Sequence, residues 1–292
     1  MADGDYERGR GREIAAVAAE LKRLAAARSA SVPCQREGRA SSRLPVFVLN
    51  GWAASPHAWD LCGFMRSRLF SYVEQLDGEP EKAMEGAERV VLVGWSMGGS
   101  SALRLAVRFP EKVAGLVLIA ATPRMMEEKE SGWKGMSPRR LEALRYGLVM
   151  TKGMGVFGVP EGKPNPYLAD EPANLERGLK YLLETDLRAD LERVFVGGGM
   201  GFLPGQQADG KKKQAYNNKM CECRSLAVHI FQSERDGIVR PENAAYLQSV
   251  FPQASVHLVP GAEHALPIFI PELIDEAVDT CLRLAAAGQD PA

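Results

Sequence analysis

The strongest constraint on the fold is a recurring unit: a short, continuously apolar run, a turn, then a helix-like stretch. Pro45-Val-Phe-Val-Leu49, Arg89-Val-Val-Leu-Val93, Val113 to Ala120, Leu226-Ala-Val-His-Ile-Phe231 and Ser255-Val-His-Leu-Val259 are such runs. Phe70-Ser-Tyr-Val73 reads as a weaker one, ending near Asp77-Gly78. Strands apolar at nearly every position are buried on both faces, as in parallel sheets. Helical composition lies between them, over 57–70, Glu79 to Glu88, Ser100 to Arg108, 241–250 and 271–286. The alternation predicts an α/β class chain: a mostly parallel sheet flanked by helices on both faces.

The alternation breaks between Pro123 and Gly205, where Met, Gly and Pro accompany helical stretches without a convincing strand. Residues 206–224 are polar, carry the basic run Lys211 to Lys213, and read as a linker. The expected organisation is therefore a core of 45–122 and 225–292, interrupted by a helical cap insertion and linker over 123–224. Residues 1–44 form an N-terminal extension. Its first twelve residues are polar and expected to be disordered. Ile14, Val17, Leu21 and Leu24 then space one helical stripe over Ile14 to Ala27.

Composition narrows the function classes. The 292 residues carry a net charge of −1, against a chain-wide nucleic-acid or membrane footprint. The N-terminus does not read as a secretory signal, and no apolar run reaches the ~18 residues of a membrane span. Five scattered cysteines, Cys34, Cys62, Cys221, Cys223 and Cys281, do not form a disulfide framework. Cys221-Glu-Cys223 lacks the further ligands of a zinc site. The expectation is a cytoplasmic enzyme with no metal.

Gly94-Trp95-Ser96-Met97-Gly98 fits G-x-S-x-G and follows a strong strand and precedes a helix. A serine on such a tight strand-to-helix turn has a strained backbone, and the helix N-terminus brings N–H groups towards a forming oxyanion. A serine hydroxyl needs a base. Among His57, His229, His257 and His264, the middle two fall inside predicted strands, and His57 is the weaker alternative. His264 follows the last strand, at the sheet edge where active sites gather. Asp236, five residues past Phe231, is the expected acid that orients His264, with Glu234 as the alternative. Asn50-Gly51-Trp52 follows the first strand, so the Trp52 N–H is expected to join the Met97 N–H as an oxyanion hole. The Trp52 indole is expected to wall the acyl site.

These motifs resemble the α/β-hydrolase superfamily over residues 45–285, a fold with an inserted helical cap. The closer resemblance is to the pimeloyl-[acyl-carrier protein] methyl ester esterases. Four segments carry it: Asn50-Gly-Trp52 with Trp59, Gly94-Trp-Ser-Met-Gly-Gly99, Gly178 to Arg188, and Asp236-Gly-Ile-Val with Glu263-His-Ala-Leu-Pro267. The resemblance implies hydrolysis of the methyl ester of a pimeloyl chain on acyl-carrier protein, in biotin synthesis. It implies water as acceptor, methanol as leaving group and no cofactor. Trp52, Trp95 and Tyr146 are then expected to contact substrate. Arg139, Arg140, Arg145 and Lys152 are expected to dock the acidic carrier: residues 133–163 hold six basic and two acidic side chains, although 123–205 balances twelve against twelve. Asn50 departs from the family's usual His, and no D-x-P-G-x-G-x-S segment lies between Gly51 and Ser96. The alternatives are a general short-acyl carboxylesterase, another hydrolase of this fold, or a non-catalytic binding protein on the same scaffold.

Overall fold

The computed structural model describes residues 44–54, 56–63, 68–146, 172–196 and 226–287. The chain divides into two units, residues 1–42 and 43–292, and every described residue belongs to the second. The helix predicted over Ile14 to Ala27 and the linker predicted over 206–224 lie outside the described residues.

Six parallel strands form one sheet: β1 (Val46–Leu49), β2 (Arg68–Phe70), β3 (Val90–Trp95), β4 (Val113–Ile119), β5 (Ala227–Ser233) and β6 (Ser255–Val259). Their order is β2-β1-β3-β4-β5-β6. The chain steps outward from β1 to β2, then returns past β1 to β3. The strand order therefore reverses between β1 and β3, and in open α/β sheets the ligand crevice lies beyond the strands' C-terminal ends at such a reversal.

The two-residue period of a strand sorts the apolar side chains into two cores. Phe47, Leu49, Leu92 and Leu118 face one side, where they meet Leu103 and Leu105 of α3 (Met97–Arg108) and Leu247 of α7 (Glu242–Val250). Val46, Val48, Val91, Val93 and Trp95 face the other, against Leu266 of α8 (Leu266–Phe269) and Ile274 and Val278 of α9 (Pro271–Ala287). Leu92 is fully buried, and such burial contributes about 1.5–3 kcal/mol per side chain. β1, β3 and β4 are buried at every position, so neither face of these apolar strands meets water, whereas β6 at the sheet edge is partly exposed along its length.

Two local expectations are corrected. Among its described residues, the predicted helix over 57–70 has a 3-10 turn, Pro56–Trp59, at its start and strand β2 at its far end. The strand predicted over 70–73 is displaced: β2 ends at Phe70, and Tyr72 already begins α1 (Tyr72–Leu76). Ser71 caps it: its side chain accepts from the Glu74 N–H, while the Glu74 carboxylate accepts from the Ser71 N–H. This reciprocal capping box outweighs the β-propensity of Tyr72 and Val73. Helix α2 (Glu79–Gly86) follows.

Between β4 and β5 the described residues contain α4 (Pro138–Arg145), α5 (Pro172–Glu184), α6 (Arg188–Leu191) and a π-helical turn, Glu192–Val196. Where this insertion leaves the core, Arg124 forms an antiparallel bridge with Asp186, and the Leu187 N–H donates to the Pro123 carbonyl at 3.0 Å. Asp186 accepts from Arg124 and from Arg188, and Glu128 accepts from Arg188 at 2.9 Å. The Arg188 guanidinium also stacks 5.1 Å over the Trp133 ring. The segment near Asp186 therefore clasps the foot of the insertion. No helix among the described residues is long and apolar enough to cross a membrane.

Candidate active site

Strand β3 enters α3 through Ser96, whose backbone has φ 57° and ψ −117°. A non-glycine residue rarely adopts this left-handed region, at a cost of about 1–3 kcal/mol. Two more such residues, Ala53 at φ 62° and Ala120 at φ 45°, follow β1 and β4. All three lie beyond the C-terminal ends of three neighbouring strands, β1, β3 and β4. The Ser96 turn is held by its N–H donating to the Ile119 carbonyl at 2.9 Å, and by the Gly99 and Ser100 N–H groups donating to the Ser96 carbonyl. The two glycines of the motif serve close approach. A Cβ on Gly98 would collide with the Leu49 carbonyl, and one on Gly94 with the Gly98 carbonyl.

The Ser96 hydroxyl lies 2.8 Å from His264 Nε2, and His264 Nδ1 lies 2.8 Å from the Asp236 carboxylate. With the neutral imidazole proton on Nδ1, the ring donates to Asp236 and accepts from Ser96. All three residues are buried, at 7%, 8% and 3% exposure. The loop after β5 shapes the acid. Asp236 Oδ1 accepts from the Ile238 N–H at 2.8 Å and the Val239 N–H at 2.9 Å. Burial alone would raise this carboxyl, but the charge of His264 and these hydrogen bonds hold it below its ordinary value. It is therefore an anion near neutral pH. Glu234, the alternative acid, is exposed.

Residues that the motif reading passed over complete the support. The buried Gln232 amide donates to the Val239 carbonyl at 3.1 Å and to Asp236 at 3.4 Å. Ser233 donates to the Ala262 carbonyl, tying the acid loop to the histidine loop. Nothing in a polar pair at the end of a strand signals this, because Ala262 lies 29 residues away.

Asn50 is fully buried and spends its side chain on the turn after β1. Its Oδ1 accepts from the Gly51 N–H and the Trp59 indole, and its Nδ2 donates to the Ala54 carbonyl at 2.7 Å. An amide with both a donor and an acceptor thus braces the loop that passes Ser96. A Cβ on Gly51 would stand 3.5 Å from Ser96 Cβ. Among the described residues, no backbone carbonyl accepts from the Trp52 or Met97 N–H.

The three expected substrate contacts separate. Trp95 faces away from the crevice: it is 1% exposed, edge-on to Trp59, with its indole donating to the His264 carbonyl at 3.0 Å. This corrects its expected place against substrate, since alternation in β3 turns residue 95 into the core. The Trp52 indole is 7% exposed and donates to the Leu175 carbonyl of α5 at 2.9 Å. Tyr146 ends α4 and is 64% exposed.

Of the expected docking residues, Arg139 and Arg140 are exposed on α4. Arg140 reaches the acid loop, where a Cβ on Gly237 would stand 2.5 Å from its Nη2. Arg145 is paired with Glu176 at 2.7 Å and Glu142 at 3.5 Å. Lys152 and the side chain of His57 lie outside the described residues. His229 and His257 bond each other at 3.3 Å across β5 and β6. No cluster of three metal-ligating side chains occurs among the described residues.

Comparison with known proteins bears on the family and the fold. The pimeloyl-[acyl-carrier protein] methyl ester esterase of Nitrosospira multiformis is 25% identical over 259 residues, covering 75% of this chain and 87% of that protein. The protein of the same name from Shewanella woodyi is 30% identical over 186 residues, covering 51% of this chain and 70% of its own. An esterase from Exiguobacterium antarcticum shares the fold with a TM-score of 0.58 at 17% identity, covering 82% of this chain and 92% of that one. The profile of the alpha/beta hydrolase family matches residues 15–277. The chain belongs to the alpha/beta hydrolase family.

Proposed function

We propose that this chain is a serine carboxylesterase that cleaves the methyl ester of pimeloyl-acyl-carrier protein, releasing methanol and the free carboxylate in biotin synthesis. The observation that carries the esterase reading is the unbroken Ser96–His264–Asp236 chain, 2.8 Å at each step. In this reading His264 takes the Ser96 proton as the oxygen attacks the ester carbonyl. Asp236 holds the imidazole and balances its charge. The N–H groups of Trp52 and Met97 receive the oxyanion. His264 then protonates the departing methanol. Water, deprotonated by His264, attacks the acyl-enzyme and frees the acid.

Two further observations favour the carrier-linked substrate. The similar proteins of Nitrosospira multiformis and Shewanella woodyi bear that name. The exposed Arg139 and Arg140 on α4 suit an acidic partner, and Lys152 is proposed with them. The chemistry asks for water and these side chains alone, and a cytoplasmic setting follows from the carrier.

The test has two layers. A fluorophosphonate probe is expected to label wild-type protein and spare Ser96→Ala; absence of labelling sinks the serine-hydrolase reading. The purified protein is then incubated with pimeloyl-acyl-carrier protein methyl ester and the methanol measured, alongside rescue of a biotin-requiring strain lacking its esterase. Labelled protein that turns over free short esters, but neither releases methanol nor rescues growth, is a general carboxylesterase instead.

A further inference from the structure

The described residues hold a third apolar cluster, separate from the two cores on the sheet. It contains Trp52 and Met97, the two residues proposed to supply oxyanion N–H groups. It also contains Leu141 of α4, Leu175, Leu179 and Leu182 of α5, and Val239 of the acid loop. The packing of the cap helices and the packing of the donor residues are therefore one body.

Trp52 is the tightest joint in that body. Its indole N–H donates to the Leu175 carbonyl at 2.9 Å, across 123 residues of sequence. Its ring lies against the backbone of α5: a Cβ on Gly178 would stand 2.5 Å from Trp52 Cδ1 and 2.9 Å from Nε1. Only a glycine at 178 leaves room for the ring. Helix interiors otherwise disfavour glycine, so the position is explained by the contact.

The turn that carries the Trp52 N–H thus has two anchors. Asn50 braces both of its ends: it accepts from the Gly51 N–H and the Trp59 indole and donates to the Ala54 carbonyl. The indole ties the middle of the turn, at Trp52, to α5. The turn passes Ser96 at Gly51 and has Ala53 in the left-handed region. A turn closed only at its ends leaves the peptide units between them torsional freedom that an anchor at Trp52 reduces, and an oxyanion donor displaced by about 1 Å costs about 100-fold in rate.

We propose that the Trp52 side chain is a positioning element that couples the seating of cap helix α5 to the oxyanion donor on its own backbone. This rests on the esterase reading given above. Its consequence is specific: hydrolysis of an ester too small to touch the cap still depends on the joint between Trp52 and α5.

The experiment compares wild type, Trp52→Phe, Gly178→Ala and the double variant on a small nitrophenyl ester, with Ser96→Ala as the null. Trp52→Phe keeps a ring and deletes the indole donor. Gly178→Ala pushes the ring off the helix and leaves Trp52 intact, so it tests the joint even where the first variant folds poorly. Each single variant is expected to lower kcat roughly 10- to 100-fold, with KM within about twofold, and the double variant to be no worse than the worse single. Binding of a boronic acid to Ser96 should weaken in parallel. Unchanged kcat in either folded single variant overturns the coupling, as does a double variant whose loss is the product of the two, and the esterase reading survives. A wild type no more active than Ser96→Ala overturns both.

Discussion

At Ser96 the chain is fixed by backbone in a dry interior. Gly94 and Gly98 admit main chain where no side chain fits, and Ser96 itself is strained. At the foot of the cap the chain is fixed by charged side chains near the surface. Arg124, Asp186, Arg188 and Glu128 are 24%, 32%, 19% and 28% exposed there. The first arrangement places atoms to within tenths of an ångström and tolerates no added carbon. The second is assembled from long side chains whose attraction water and salt weaken. A division of labour follows: the candidate site is held by close-packed backbone, and the insertion is attached by contacts that can be tuned.

Breaking the dry side should cost most. Asp236→Asn preserves shape but removes the anion that favours the Nδ1–H tautomer, and kcat on any accepted ester should fall about 10⁴-fold. Single-turnover kinetics with unchanged circular dichroism would check it; a loss under tenfold would remove Asp236 from the mechanism. Gly98→Ala should be next, with about 3 kcal/mol of stability lost in urea unfolding, because its Cβ meets the Leu49 carbonyl rather than a flexible side chain.

The cap foot should respond more gently. Arg188→Ala removes two ion pairs and the stack on Trp133, and about 1 kcal/mol is expected after allowing for solvent screening. The difference from wild type should shrink in 1 M salt; a salt-independent loss would show packing, not charge, to be the glue. Arg188 and Arg124 hold the Asp186 carboxyl below its ordinary value of 3.8. Its contribution is therefore present above that pH and lost only in stronger acid.

The smallest effect belongs to the sheet edge. Burial depresses both His229 and His257 below 6.5, aided at His229 by the charge of His257, while Glu276 opposes the shift in each. The unfolded chain binds these protons more readily. Stability should thus be full above 6.5 and decline as pH falls through it. Replacing both with Gln should flatten that slope between pH 7 and 5 in thermal melts.

What was legible in the sequence was local. Val90 to Val93 followed by glycines at 94 and 98 announces both strand and turn, since burial on two faces and close approach leave composition marks. Asp236 and His264 were legible because each follows a strand. The capping box of Ser71 and Glu74 was equally readable, and reading 70–73 by β-propensity hid it. Asn50 looked like a departure, yet its amide meets three partners that an imidazole at that place could not all satisfy. The joints of Trp52 with Leu175 and Trp95 with His264 span 123 and 169 residues. A single indole carries no mark of which distant carbonyl it will find.

The 168-residue separation of Ser96 from His264 also bears on the order of events at the ribosome. At 5–20 residues per second, the serine emerges roughly 10–30 s before its base. Throughout that interval the nascent chain carries a hydroxyl with no proton acceptor, while Trp95 waits for the carbonyl it will hold. In the mechanism proposed above, reactivity waits for the loop beyond the last strand. A product that stops short of His264 would then be chemically silent, however well its first four strands pair.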